Sequence, residues 1–300
     1  MTVAIVTPSH APDFNRFRRL HESVIENVSS GVMHYVLVPP PDYRMFSTIQ
    51  SSQLTVLEQP DVLPRSFVST TRLGRIPLLP RGYRVAAINL RRPWPPIRGW
   101  VLQQLVKLGF AAGLEADVAV MIDSDVILVR GFTADTFMRG ESVRHYRVPH
   151  AVHGGMQRHL VWRETAARLL RLDAPSADLA DYNAGVISWS PRIVRTLLDR
   201  VQEVAQQPWQ TAIGSQLDVS EYFLYGEFVA MLGDQRDKAF TSDRNLCHSY
   251  WNTMTMENVG DFVKSMPIDD IAILIQSNSD TSEDVLTYIA DQVRELGPGR

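Results

Sequence analysis

Asp123-Ser124-Asp125 puts two carboxylates two positions apart, directly after the apolar run Val118-Ala119-Val120-Met121-Ile122. As a strand gives way to a turn, both can reach one divalent ion or its waters. Mg²⁺ and Mn²⁺ prefer oxygen ligands and commonly share them with substrate phosphates. An ion held there would neutralise a diphosphate, as a nucleoside-diphosphate leaving group requires. An Asp-x-Asp triplet is also a common solvated turn, and what raises this one is the fully apolar run before it.

Three further groups of residues carry chemistry. In Tyr182-Asn183-Ala184-Gly185-Val186-Ile187, Asn183 offers both a donor and an acceptor to a sugar hydroxyl. Gly185 lets the backbone approach a ligand, although a turn leading into a buried strand explains the same residues. In Ser220-Glu221-Tyr222-Phe223-Leu224-Tyr225, Ser220 is a natural N-cap and Glu221 falls in the first turn, on one face with Tyr225. Glu221 is then a candidate general base or sugar-hydroxyl acceptor, or an ordinary charged first turn. In Cys247-His248-Ser249-Tyr250-Trp251, His248 is a candidate third metal ligand, or a packed histidine among aromatics. A phosphatase of the haloacid-dehalogenase type would also use the Asp pair, the first as nucleophile. That family usually has Thr or Val where Ile127 stands, and carries the pair near its N-terminus rather than mid-chain.

The elements that must position these groups follow from periodicity. Val3 to Val6 reads as a buried strand opening into Thr7-Pro8-Ser9, and Phe14 to Val28 as a helix with Phe17, Leu20, Val24 and Val28 on one stripe. A second strand covers Tyr35 to Val38, stopped by Pro39-Pro40-Pro41. Gln59 to Ile97 carries seven prolines and predicts loops and short strands beside the site rather than in the core. A helix from Arg98 to Gly113 has an apolar stripe of Val101, Leu105, Leu108 and Ala112, leaving Gln103, Gln104 and Lys107 on other faces. Val118 to Ile122, apolar on both faces, predicts a central parallel strand, with the Asp pair at the end where open α/β sheets bind ligands. Helices follow over Val161–Leu172, Pro191–Val204, Ser220–Leu232 and Glu283–Leu296, and strands over Gly185–Ser188 and Ile271–Ile275. No repeat or linker marks a boundary.

Composition narrows the partners. A chain of 300 residues with a net charge of −3 advertises neither nucleic acid nor an acidic membrane surface. Lys occurs only at Lys107, Lys238 and Lys264; the bias to Arg runs through the whole chain, the mark of a GC-rich genome, so clusters of Arg name no ligand. Cys247 is the single cysteine, which excludes an intramolecular disulfide and suits a reducing compartment. The apolar run Thr2–Val6 is too short for a signal-peptide core and no run reaches the ~20 apolar residues of a membrane span. The expectation is a cytoplasmic protein without a transmembrane segment.

In this order, the motifs resemble the GT-A glycosyltransferases: a strand opening into Thr-Pro, a mid-chain Asp-x-Asp, an Asn-Ala-Gly strand, an acidic helix start and a late His. The layout is most similar to the glycogenin and lipopolysaccharide-galactosyltransferase group. Thr7-Pro8-Ser9-His10-Ala11-Pro12-Asp13-Phe14, Gly99-Trp100 with Gln103-Gln104 and Lys107, and Ser220-Glu221-Tyr222 look closer still to an uncharacterised bacterial branch. The resemblance covers most of residues 1 to 255. It implies that Pro8, Ser9, His10 and Asp13 line a base and ribose pocket, with Ser124 near the ribose. Asp123 and Asp125 would bind Mn²⁺ or Mg²⁺, and His248 would complete the metal shell. Asn183, Ala184 and Gly185 would sit beside the donor sugar, and Glu221 where related enzymes hold a recognition or catalytic carboxylate. The group's Lys shortly after the late His is missing here, where Tyr250, Trp251 and Asn252 follow; Lys107 or Arg98 would supply that charge to the diphosphate. Ser220-Glu221 replaces the group's Asp-Gln pair, so inversion follows if Glu221 deprotonates the acceptor and retention if it only grips the donor.

The expectation is therefore an α/β protein of the GT-A type, a mostly parallel twisted sheet flanked by helices. Residues 1–130 form a nucleotide-sugar half and 131–300 an acceptor half of one continuous domain. Its partners would be a nucleoside diphosphate sugar, a small-molecule or glycan acceptor, and a second copy in a homodimer. Two rivals remain. Sugar-nucleotide nucleotidyl transfer wants a Gly-rich loop after the first strand, and Thr7 to Asp13 has no glycine. A non-catalytic carbohydrate-binding protein would have no use for Asp123, Asp125 and His248.

Overall fold

Short apolar runs alternate with amphipathic stretches along most of the chain, and this alternation sets the order of elements in the computed structural model. It describes residues 1–70, 85–173, 177–231, 239–276 and 279–295. The first half begins with β1 (Val3–Pro8), α1 (Phe14–Asn27), β2 (Met33–Val38), α2 (Tyr43–Phe46) and β3 (Leu54–Glu58). A proline-rich hairpin region gives β4 (Phe67–Ser69), β5 (Val85–Asn89) and β6 (Arg92–Arg98), leading into α3 (Gly99–Gly113), β7 (Val118–Ile122) and β8 (Val126–Leu128). Next come α4 (Ala134–Phe137), β9 (Met138–Arg139), β10 (Ser142–Tyr146), α5 (Gln157–Leu170), β11 (Val186–Trp189), α6 (Pro191–Ala205) and α7 (Trp209–Gly214). The chain closes with α8 (Glu221–Met231), β12 (Ala239–Ser242), β13 (Cys247–Tyr250), α9 (Met256–Ser265), β14 (Ala272–Ile275) and α10 (Glu283–Glu295). The predicted helix ends at Leu232 and Leu296, and residues 71–84 of the proline-rich stretch, lie outside the described residues.

The central sheet has the order β11-β7-β1-β2-β3. β1, β2, β3 and β7 run parallel, and β11 is antiparallel to β7. β1 and β7 are buried along their whole length, because helices cover both faces of a parallel sheet and its central strands must be apolar on both sides. A second sheet, β13-β14-β8, continues from β7 through the Asp123-Ser124-Asp125 turn. Residues on both sides of position 130 thus share sheets: β11 joins β7, and β14 joins β8.

One expectation changes. The proline-rich stretch forms short strands as expected, paired in an antiparallel β4-β5-β6 sheet, but Phe67, Ala87 and Ile97 are buried in the main core beside Leu105 rather than outside it. Prolines forbid a helix there, yet leave strands with alternate apolar residues free to pack. On α3, Gln104 and Lys107 are buried as deeply as the apolar stripe, because that face lies against the start of α8. No helix among the described residues is long and apolar enough to cross a membrane.

Candidate functional site

The chain runs outward from β1 to β3, then crosses back to lay β7 on the other side of β1. Strand order reverses between β1 and β7, and the crevice at their C-terminal ends is where such sheets bind ligands. Ser9 follows β1 and Ser124 follows β7; both are buried, and the Ser124 hydroxyl donates to Ser9 Oγ at 2.8 Å. Asp123 stands at the same edge with its side chain 45 % exposed. Asp125 is half-buried just before β8, which leaves the central sheet to pair with β14.

Behind Asp123 lies Lys107, only 3 % exposed, with Nζ 2.9 Å from Asp123 Oδ1, 3.0 Å from Glu221 Oε1 and 3.0 Å from the Tyr222 hydroxyl. Burial alone would push this amine down. The charge of Asp123, the Tyr222 oxygen and the charge of Glu221 outweigh it, holding the pKa well above the usual lysine value. Glu221 is 1 % exposed, and burial raises its pKa against the pull of Lys107. Its position is built locally. Ser220 caps α8 by accepting from the Phe223 N–H at 3.4 Å, and Gln104 accepts from the Glu221 N–H at 3.2 Å. Trp100, Gln104 and Lys107 share one face of α3, and Trp100 donates to the Val219 carbonyl at 2.8 Å. Glu221 therefore sits behind Lys107, closed off from solvent, and not where an acceptor hydroxyl could reach it.

The Asn183-Ala184-Gly185 segment comes to the same edge. Val186 pairs with Ile122, so the next residues of the two antiparallel chains are Gly185 and Asp123. The Asn183 N–H donates to Asp181 Oδ1 at 3.1 Å, which shapes the turn; Asn183 and Ala184 are half-buried. Packing by itself requires a glycine at Gly185. A Cβ there would lie 2.6 Å from Cys247 Sγ. The Cys247 thiol is pushed up, first by burial and then by the nearby Asp270 and Asp125 carboxylates, against a hydrogen bond from Ser249.

Pro8 ends β1, and His10 and Asp13 occupy the loop and short helical turn that follow. His10 Nδ1 is 2.9 Å and Arg16 3.3 Å from the Asp13 carboxylate. Burial raises the Asp13 pKa, but these two partners win and hold it below the usual carboxylate range. The Ala11 N–H donates to Asp42 Oδ2 at 2.8 Å, tying the loop after β1 to the turn after β2.

His248 is not brought to the Asp pair, which corrects the expected third ligand. Side chains alternate along a strand, and in β13 it is Cys247 that meets Gly185. His248 falls on the opposite face, stacked on Phe262 of α9 at 4.4 Å, with Nε2 bonded to the Phe262 carbonyl and Ser265 Oγ at 3.1 and 3.2 Å. Neither α9 nor the strand character of β13 was read from the sequence. Among the described residues no group of three His, Cys, Asp or Glu side chains is placed to share an ion. The two carboxylates still suit a hard ion that keeps several waters and takes its other ligands from phosphate oxygens. Arg98 donates to the Leu217 carbonyl at 3.2 Å.

Sequence reasoning also missed an aromatic ladder. Trp100 stacks on Trp162 with centroids 5.8 Å apart, and Trp162 on His159 at 4.9 Å. Its signal was present as Arg158, His159 and Trp162 at helical spacing.

A model of a family of unknown function, DUF6492, matches residues 1–289. No curated protein matches the sequence significantly. Among solved structures, the chain is similar to an active-site mutant of LgtC at 11 % identity, with 96 % of this chain and 95 % of that chain covered and a TM-score of 0.49. It is similar to the galactosyltransferase LgtC bound to donor and acceptor sugar analogues at 11 % identity, covering 98 % and 94 %, with a TM-score of 0.46. For the apo glycosyltransferase GlyE of Streptococcus pneumoniae TIGR4 the identity is 12 %, the shares 99 % and 63 %, and the TM-score 0.43. At such distances the reaction has to be read from the residues of the site itself.

Proposed function

The chain belongs to the family of unknown function DUF6492, and on that footing we propose that it is a metal-dependent glycosyltransferase. It would move a hexose-like unit from a nucleoside diphosphate sugar to a nucleophile on a small-molecule or glycan acceptor. One observation carries this reading: half-exposed Asp123 stands in the crevice between β1 and β7, with buried Lys107 2.9 Å behind it.

Asp123 and Asp125 would hold Mn²⁺ or Mg²⁺, which when bound supplies positive charge to the departing diphosphate. Lys107 restrains Asp123 and adds a second cation to the same edge. Ser9 and Ser124, locked to each other, would meet the ribose, with Pro8, His10 and Asp13 around the base. Asn183 and Ala184 would face the donor sugar. Glu221 serves Lys107 rather than the acceptor: a buried ammonium needs a counter-charge that solvent cannot dilute. This removes the carboxylate base that inversion would require at this position, and favours retention of the anomeric configuration.

Calorimetric titration of uridine and guanosine diphosphate, with and without Mn²⁺, tests the reading. One of the two should bind in a Mn²⁺-dependent way, and Asp125→Ala should abolish that dependence in a folded protein. Unchanged affinity in the folded mutant would remove the Asp pair from the metal.

A further inference from the structure

The ladder of Trp100, Trp162 and His159 bridges the two chain segments that flank Asp123. At one end Trp100 is anchored to Val219, two residues before Glu221. At the other, His159 Nδ1 lies 3.5 Å from Asp181 Oδ1, two residues before Asn183. Phe223 of α8 braces the middle, edge-on to His159 at 5.3 Å and tilted against Trp162 at 5.6 Å. Along α3, Trp100 is seven residues from Lys107, about 10 Å of helix rise on the same face.

Trp100 is the outer member, 36 % exposed, and Val161 and Leu217 beside the ladder are exposed as well. Over both indoles lies the Arg158 guanidinium, 4.8 Å from the Trp100 ring and 5.0 Å from Trp162. Arg158 is 55 % exposed and its only carboxylate neighbour among the described residues, Asp218, is 3.9 Å away. The Trp162 N–H is buried and has no hydrogen-bond partner among the described residues. A core cluster would close over its aromatics and keep charge off them. This one keeps an indole and a cation at the surface.

We propose that this ladder is the acceptor subsite, and that it takes a sugar carrying a carboxylate or phosphate; the proposal rests on the glycosyltransferase reading above. The slightly positive C–H groups of a pyranose lie well on the negative face of an indole. Arg158, held in place by the two rings, supplies a fork for an anionic substituent. The subsite stands about two helical turns from the Lys107–Asp123 edge, so an acceptor docked there reaches toward the donor sugar beside Asn183 without contacting the diphosphate.

Three probes test it, each titrated against intrinsic tryptophan fluorescence in the full-length protein saturated with Mn²⁺ and nucleoside diphosphate: methyl β-D-glucoside, methyl β-D-glucuronide and glucose 6-phosphate. At least one anionic sugar should bind about tenfold more tightly than the neutral one. Arg158→Gln, a change at an exposed side chain, should erase that preference, and Trp100→Ala should weaken all three sugars. Trp100→Phe, which keeps an aromatic face, should retain most of the binding. Preference for glucuronide identifies a carboxylate acceptor, and preference for the phosphate a phosphorylated one. Equal affinities for the three sugars, no binding of any, or an anion preference that survives Arg158→Gln would overturn the proposal. Nucleoside diphosphate affinity, measured in the same variants, should not change. Its loss in the wild-type protein would sink the donor reading instead, so the two failures are distinguishable.

Discussion

Lys107 Nζ and Asp123 Oδ1 meet at 2.9 Å where helix α3 passes behind the end of strand β7, so a fully buried cation backs a half-exposed carboxylate. Glu221 balances the cation from the other side at 3.0 Å. Replacing one partner of a buried pair leaves the other charge stranded, at a cost of about 3–5 kcal/mol. Lys107→Met should lower unfolding stability by that order, read by urea denaturation. Adding Glu221→Gln should restore most of it, because a buried amide needs no counter-charge. A double mutant no more stable than Lys107→Met would show that the pair is not coupled.

Asn183 stands two residues before Gly185, in the turn that leads into β11 beside β7. Asn183→Ala should raise the Michaelis constant for the donor sugar or lower turnover by up to about tenfold, the scale of one lost hydrogen bond. Affinity for the bare nucleoside diphosphate should stay the same. Equal loss of the bare diphosphate would reassign the residue to the metal or to the fold.

Gly185 and Cys247 share a space that holds no further methyl group. Gly185→Ala puts a Cβ 2.6 Å from Sγ, and overpacking of this kind costs about 1–3 kcal/mol. Cys247→Ala removes the sulfur and should recover part of that loss when combined with it, as thermal unfolding would report. Additive penalties would mean that the strain lies elsewhere.

Acid should destabilise the protein through buried histidines. His34 Nε2 meets Thr7 Oγ1 at 2.9 Å, and its Nδ1 meets His21 Nδ1 at 3.0 Å. Burial lowers His21 to about 4, and burial plus the charge of His21 drives His34 well below the usual histidine range. Burial with Arg147 and Arg144 lowers His145 to about 3. Between these values and 6.5 the unfolded chain binds more protons than the folded one, so stability is full above pH 6.5 and falls as pH drops toward 4. Asp270, raised by burial to about 6, works in the opposite direction, losing stability as pH rises through 6. His21→Asn, which cannot titrate, isolates the histidine contribution. Urea midpoints at pH 7 and pH 4.5 should differ less in this variant than in the wild type, and an unchanged difference would exonerate the pair.

Much of the positioning was legible along the chain. A strand that is apolar on every residue must be central, so Val118 to Ile122 alone places Asp123 at the end of a central strand. Ser220 as cap of the Glu221 helix was equally local, since capping involves only neighbouring residues. Other features depend on which surfaces meet, and periodicity does not encode that. Periodicity put Gln104 and Lys107 off the apolar stripe of α3 without showing what would meet them; α8 packs on that face and turns Lys107 and Glu221 into a buried pair. His248 followed Cys247 in sequence, but strand alternation sent the two side chains to opposite faces, so packing of Cys247 against Gly185 committed His248 to α9. The aromatic ladder joins residues from α3, α5 and α8, about 60 positions apart in sequence from one helix to the next. Local pattern therefore determined strands β1, β2, β7, β11 and β14, the cap of α8 and the turn that carries the Asp pair, and tertiary packing alone decided which charges were buried together and which rings stacked.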